Sequence, residues 1–435
     1  MNVFDILVAA NAIVAVIALY QVHLCTLILC ANSLLVARAL GSIQRSGAPI
    51  SQAFLPNYVF SQDNLNIAAG ILAISLFTVV GFSVLFSRRR VRIGPDAPPV
   101  PKLLLLLIAL YLVAYFGSTA TILSAGYMEQ GSARYDLELA GAHALICSLL
   151  IYEVVRRRLL AELTAFRAFA LIFCSLGLVH YLRGATGITT GYLVTAAVLL
   201  IPRTGSAQRI RNVFRVIAVI SAIVVMSFIV RGVRVVLYAE GSTAVSTVVD
   251  NILSLEETRD ETAEGAEAVA NATQSAALML VCITLYNTGA SREWRSMYNV
   301  IEYTFVPSVF VPWFGWTRSL DAPAEIRDNG FDHGGGINVL GEFYWNGGWP
   351  CVVIMTSLLS LFCFFLDSRY RASPTWLMLL VQFGPSFLMG YGYGIAQVAR
   401  GAVNGLLVVG AYWLWTLARG RNRLPLPPVP IASFH

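Results

Sequence analysis

Residues 65–87, LNIAAGILAISLFTVVGFSVLFS, carry no charged side chain. A helix rises about 1.5 Å per residue, so this stretch is long enough to cross the roughly 30 Å hydrocarbon layer of a bilayer. Residues 103–128 and 347–366 are also free of charge, and each exceeds the roughly 18 residues a spanning helix needs. The whole chain agrees with these three runs. Of its 435 residues, 57% are hydrophobic and only 12% are charged, and the mean hydropathy is +0.69. A water-soluble fold of this length has no interior large enough for that much apolar surface. The expected class is all-α, a polytopic integral membrane protein with about 10–12 transmembrane helices. A soluble enzyme, a secreted disulfide scaffold and a DNA-binding protein are excluded.

The charges order the spans. Basic residues are 29 Arg and one Lys, Lys102, and the net charge is +6. Five clusters stand out: Arg88, Arg89, Arg90 and Arg92; Arg156, Arg157 and Arg158; Arg203, Arg209, Arg211 and Arg215; Arg369 and Arg371; Arg419, Arg421 and Arg423. All can lie on one side, and the positive-inside rule makes that side cytoplasmic. The net charge therefore reports membrane topology, and no nucleic-acid partner is read from it. The spans are read as 65–87, 102–121, 141–155, 165–182, 188–202, 213–236, 347–366, 375–391 and 401–418. The run 3–40 is too long for one helix, and its break at Gln21–His23 favours two. No basic segment precedes its apolar stretch, so it is not read as a cleaved signal peptide. Seven cysteines lie in or beside apolar runs without metal-ligand spacing, as expected of small packing residues.

Four regions follow. Residues 1–237 form an N-terminal transmembrane bundle, 347–423 form C-terminal transmembrane helices, and 424–435 form a Pro-rich cytoplasmic tail. Between them, 238–346 holds 15 acids against five arginines, net −10, and is read as one large extracytoplasmic loop with interfacial helices. Within it, 275–286 is apolar but short for a span, which suits a re-entrant or interfacial helix. The aromatic, Pro-broken stretch 303–316 suits the headgroup layer.

No Walker A, dinucleotide-binding, HExxH or GxSxG motif occurs, so no ATP, nicotinamide or other cofactor is implied and no metal is signalled. Two constellations remain. The first is a set of arginines outside or at outer span ends: Arg134, Arg183, Arg231, Arg234, Arg292, Arg295, Arg318 and Arg327. Arginine is costly near hydrocarbon, and its planar fork fits phosphate oxygens. The alternative is that each snorkels to headgroups or pairs with an acid of the loop. The second is RDNGFDHGGGINVLGEFYWNGGWP, Arg327 to Pro350. It brings Asp332, His333 and Glu342 close in sequence, with Phe343, Tyr344 and Trp345 beside Glu342. Aromatic rings beside carboxylates are a familiar sugar-binding composition.

The stretch Gly341-Glu342-Phe343-Tyr344-Trp345-Asn346-Gly347-Gly348, ahead of an apolar helix, resembles the Wzy-type oligosaccharide repeat-unit polymerases of bacterial O-antigen and exopolysaccharide pathways. There a G-E-x-Y-x-N-x-G stretch closes the large periplasmic loop. Arg183 in LRGATG and Arg231 after the next span are similar to arginines of that family. The resemblance implies a GT-C-like membrane glycosyltransferase of the bacterial inner membrane, with its active site facing the periplasm. It would polymerise undecaprenyl-diphosphate-linked repeat units, with a chain-length regulator protein as a further partner. The implied site has Glu342, Asp332 and His333 as catalytic candidates. Arg134, Arg183, Arg231, Arg318 and Arg327 would hold the diphosphate, and Tyr344 and Trp345 the sugar. The related O-antigen ligases share the architecture but carry a different loop histidine motif. A ligase and a non-catalytic lipid-linked glycan transporter stay open as alternatives.

Overall fold

The computed structural model describes residues 2–46, 61–86, 100, 104–106, 108–115, 142–159, 162–182, 186–200, 210–223, 225, 263–305, 322–331, 337–370, 374–390 and 394–420. They are helical almost throughout, with no β-strand among them. The named helices are α1 Val3–Gln21, α2 Leu24–Ser46, α3 Gln62–Phe86, α4 Ala142–Leu159, α5 Leu163–Leu182 and α6 Thr186–Leu199. They continue with α7 Ala263–Asn287, α8 Arg295–Phe305, α9 Ala322–Asp328, α10 Val339–Arg369, α11 Pro374–Gly390 and α12 Ile395–Gly420. Four of them, α1, α2, α3 and α10, are long and apolar enough to cross a membrane. Shorter apolar helices, Leu163–Val179, Thr190–Leu199 and Thr375–Leu388 among them, fall where the sequence places further spans. Large apolar side chains face outward, Phe77 being 74% exposed and Leu171 68%. In water such a surface would drive aggregation, whereas lipid covers it. The chain is an all-α membrane protein.

The break in the first apolar run is the two-helix alternative. Asn2 caps α1 by accepting from Phe4 N–H at 3.2 Å, while Asp5 reaches back to Asn2 N–H, the reciprocal pattern that starts a helix. At the other end Val22 turns left-handed (φ 60°), and His23 N–H closes on the Ala18 carbonyl at 2.8 Å. The C-terminal end of α10 clamps this turn. Asp367 accepts from the N–H groups of Cys25 and Thr26 at 2.9 and 2.8 Å and from the Thr26 hydroxyl at 2.8 Å. Tyr370 donates to the Val22 carbonyl. The first helix pair is thus tied to a helix more than 300 residues later.

The apolar segment 275–286 lies against the bundle and not at its surface. It is the C-terminal half of α7, and Ala276 through Ile283 are all buried, against α2, α3 and α10. Residues 263–274 continue the helix upstream, so its length is 25 residues. The central layer of the bundle is therefore α2, α3, α7 and α10, with α11 packed on α12, α6 and α4. Residues 306–316 of the aromatic stretch and the tail 424–435 lie outside the described residues.

Candidate functional site

The site is built around a break in α10. Pro350 has no N–H to give the carbonyl of Asn346, four residues earlier. Gly347 (φ −174°, ψ 27°) and Gly348 (φ 62°, ψ −149°) leave helical geometry just before it. Two carbonyls are thereby released inside a membrane protein, where an unpaired polar group is costly. The turn between α7 and α8 supplies the missing donors. Arg292 N–H reaches the Trp345 carbonyl at 3.1 Å, and Trp294 N–H reaches the Asn346 carbonyl at 3.0 Å. In that turn Glu293 and Trp294 take left-handed backbone angles, φ 47° and 66°, at a cost of order 1 kcal/mol each. The broken helix and the strained turn thus hold one another.

This docking brings Arg292 to Glu342. Asn338 caps the start of α10, accepting from the N–H groups of Leu340 and Gly341 at 3.0 and 3.1 Å. The Asn338 amide also donates to Ser275 on α7 at 2.9 Å. Gly341 lies on the α7 backbone; a Cβ there would stand 2.8 Å from the Met279 Cα. Glu342, in the first turn, is 2% exposed. Its Oε1 accepts from the Ser296 hydroxyl and lies 3.5 Å from Arg292 Nη1. Its Oε2 accepts from the N–H of Ile395, first residue of α12, at 2.8 Å. Gly394, with φ +94°, allows that approach, since a Cβ there would stand 2.8 Å from the same oxygen. One carboxylate therefore joins α8, α10 and α12.

Arg292 is shared between two carboxylates. Its Nε donates to Glu325 of α9 at 2.5 Å and its Nη1 to the Ser296 hydroxyl at 2.5 Å. Its guanidinium stands 5.2 Å from the Trp345 ring centre. Arg295 reaches the other Glu325 oxygen at 2.5 Å. Glu325 and Glu342 against Arg292 and Arg295 balance in charge, which a buried cluster needs. Asn346 completes the network: its Oδ1 accepts from Ser296 N–H at 3.0 Å, and its Nδ2 donates to the Ser296 hydroxyl at 2.9 Å. Ser296 thus receives from Arg292 and Asn346 and gives to Glu342.

Of the residues expected at the site, Glu342, Tyr344, Trp345 and Arg327 are described. Tyr344 and Trp345 are buried, 4% and 1% exposed. The Tyr344 ring meets Tyr286 edge-on at 4.9 Å and Trp349 at 5.5 Å. Trp345 donates its indole N–H to the Ala290 carbonyl at 2.5 Å. Arg327 is exposed on α9, and the arginine brought to Glu342 is Arg292. Arg134, Arg183, Arg231, Arg318, Asp332 and His333 lie outside the described residues. Among the described residues no group of three or more His, Cys, Asp or Glu is placed to hold a metal ion.

The sequence reading did not single out Ser296 or Glu325. It counted Arg292 among the outer arginines without linking it to Glu342, and quoted Asn346 only as part of the motif. Arg292 and Ser296 stand four residues apart in the sequence. The Gly347-Gly348 pair before Pro350 announces a break that needs outside donors. Those were the available signals. No family model matches the chain, and neither a curated protein nor a solved structure matches it.

Proposed function

We propose that this chain is a membrane glycosyltransferase of GT-C-like architecture that polymerises undecaprenyl-diphosphate-linked oligosaccharide repeat units at the periplasmic face of the bacterial inner membrane. One observation carries the reading. The stretch that resembles the repeat-unit polymerases, Gly341 to Gly348, enters a buried network of ionic and polar contacts with Arg292, Ser296 and Ile395.

In the proposed reaction an acceptor sugar hydroxyl attacks the anomeric carbon of the growing glycan. The bond from that carbon to the carrier diphosphate breaks, the hydroxyl proton passes to a protein base, and the diphosphate leaves with both electrons. The donor is already activated, so no ATP or nicotinamide enters. Arg134, Arg183 and Arg231, joined by Arg318 and Arg327, would stabilise the charge that grows on the diphosphate. The base is Glu342, Asp332 or His333. Each Glu342 oxygen accepts a hydrogen bond, from Ser296 or Ile395, and a carboxylate oxygen has a second lone pair, through which Glu342 would take the proton of the acceptor hydroxyl. If the hydroxyl does not reach it, Glu342 positions α8 and α12 while Asp332 or His333 takes the proton.

The test is the length of polysaccharide made in cells producing Glu342→Gln, Asp332→Asn or His333→Asn protein at wild-type level. A base contributes about 10²–10⁴ in rate, so its loss leaves single repeat units in place of long chains. Wild-type chains from all three variants, and from Arg183→Ala and Arg231→Ala, would defeat the reading. The orientation is tested separately: alkaline phosphatase fused after Ser254 is expected to be active, and after Arg90 inactive.

A further inference from the structure

Helix α8, RSMYNVIEYTF, buries a polar stripe beside the half-buried Met297 and Val300. An amphipathic helix of a soluble protein turns its apolar side to the core. Here Ser296, Asn299 and Glu302 are the buried residues, 1%, 2% and 5% exposed. Tyr298 and Ile301 are 54% and 55% exposed, and Trp294, in the turn just before the helix, is 42% exposed. The buried side is accounted for in part by the Ser296 network with Glu342, Asn346 and Arg292. Something apolar must cover the other side, and the apolar surface beside it says what. The Trp294 ring lies against the α10 break, 3.4 Å from where a Cβ on Gly347 would stand. Beyond that break Trp349, Val353, Ile354 and Leu358 are 40–55% exposed along one side of a helix long and apolar enough to span. Trp294, at the start of α8, therefore borders the exposed apolar side of α10.

We infer that α8 is an interfacial helix whose Trp294, Tyr298 and Ile301 side chains enter the boundary between headgroups and acyl chains of the bilayer, the occupant of this face being membrane lipid. At 11 residues it is about 16 Å long, too short to span and long enough to lie flat. Trp and Tyr are the side chains that settle at that depth. The arginine in its first turn, Arg295, keeps its head on Glu325. Lipid contact and the bond to Glu342 are then opposite faces of one helix. The inference holds whether or not the chain is a glycosyltransferase.

Photocrosslinking tests it. p-Benzoylphenylalanine replaces Tyr298 in one full-length protein, Ile301 in a second, and Phe77 of α3 in a third. Each is reconstituted into vesicles of equal parts phosphatidylethanolamine and phosphatidylglycerol and illuminated. Phe77 reports ordinary lipid contact from a spanning helix. The expected result is a mass increase of one phospholipid on the peptide holding position 298 and on that holding 301, as at 77. Lipid adducts at 77 but none at 298 or 301 would overturn the inference, and so would a covalent dimer through either position in place of a lipid adduct.

Discussion

Helix α10 buries a carboxylate near each end, and the two are kept there by different means. Glu342 is held by a guanidinium, a hydroxyl and one N–H, each from a different residue: Arg292, Ser296 and Ile395. Asp367 accepts from the N–H groups of Cys25 and Thr26 and the Thr26 hydroxyl, all in the first turn of α2. A helix N-terminus presents unpaired N–H groups and about half a positive charge, enough to hold an anion with little else. That is a local device: two neighbouring residues suffice. The Glu342 device needs α8, α9, α10 and α12 in place at once, because Arg292 must also satisfy Glu325. The first arrangement ties one helix to another. The second depends on the assembly of a whole corner of the protein.

The comparison is broken or sharpened by four substitutions, the largest effect first. Arg292→Ala leaves Glu342 and Glu325 buried with Arg295 as the remaining guanidinium of the cluster. Removing one partner of a buried pair costs about 3–5 kcal/mol, so a strongly lowered Tm in detergent is expected. Arg292→Lys keeps the charge without the fork that reaches Ser296 and Glu325 together, and restores less than half of the loss. A Tm for Arg292→Ala no lower than that of Asp367→Asn would erase the distinction between the two ends.

Gly348→Ala comes second. Its backbone at φ 62°, ψ −149° is glycine's territory, and the added Cβ would stand 2.6 Å from the Tyr286 Oη. A loss of about 2 kcal/mol is expected. Combining it with Tyr286→Phe removes the nearest atom but leaves the ring carbon Cζ at 2.9 Å and the backbone strain, so the double variant recovers part of the Tm. Full recovery would mean that the break carries no strain.

Asp367→Asn ranks third. It keeps one acceptor oxygen and the shape while losing the charge opposite the α2 N-terminus. The expected cost is about 1 kcal/mol, read as a small Tm shift with protein yield unchanged. A loss as large as that of Arg292→Ala would show that the Asp367 clamp organises more than one helix. Gly410→Ala is the reference. It sits inside α12 with nothing within 4 Å of its added Cβ, and removing glycine from a helix interior stabilises by about 0.4–1 kcal/mol. A destabilised Gly410→Ala protein would mean that the Tm scale is not reading the helix bundle.

Much of the architecture was legible as helical length and hydropathy. The uncharged run 65–87 became α3, the run 347–366 lies within α10, and the weak break at Gln21–His23 separates α1 from α2. These follow from local rules: an apolar run of spanning length must close its own backbone bonds, and it does so as a helix. The start of α10 was less legible. The sequence placed Glu342 at the mouth of a span, whereas the helix begins at Val339 and is broken at Gly347–Gly348. A Gly-Gly-x-Pro stretch reads as a helix end when taken alone. It becomes a kink because donors from the α7–α8 turn pair the freed carbonyls, and those donors lie some 50 residues away.

The amino-acid sequence by itself determined the class of the protein, its longest apolar helices and the acidic character of 238–346. Each of these rests on composition or on neighbours within a turn or two. Tertiary structure decided that 275–286 is an interior helix segment, that Arg292 is the arginine at Glu342, and that α8 turns its polar face inward. Burial and ion pairing depend on which segments meet in space. Within the membrane the cost of an unpaired charge is high enough that the partner, not the residue's own surroundings in the chain, sets where it can be.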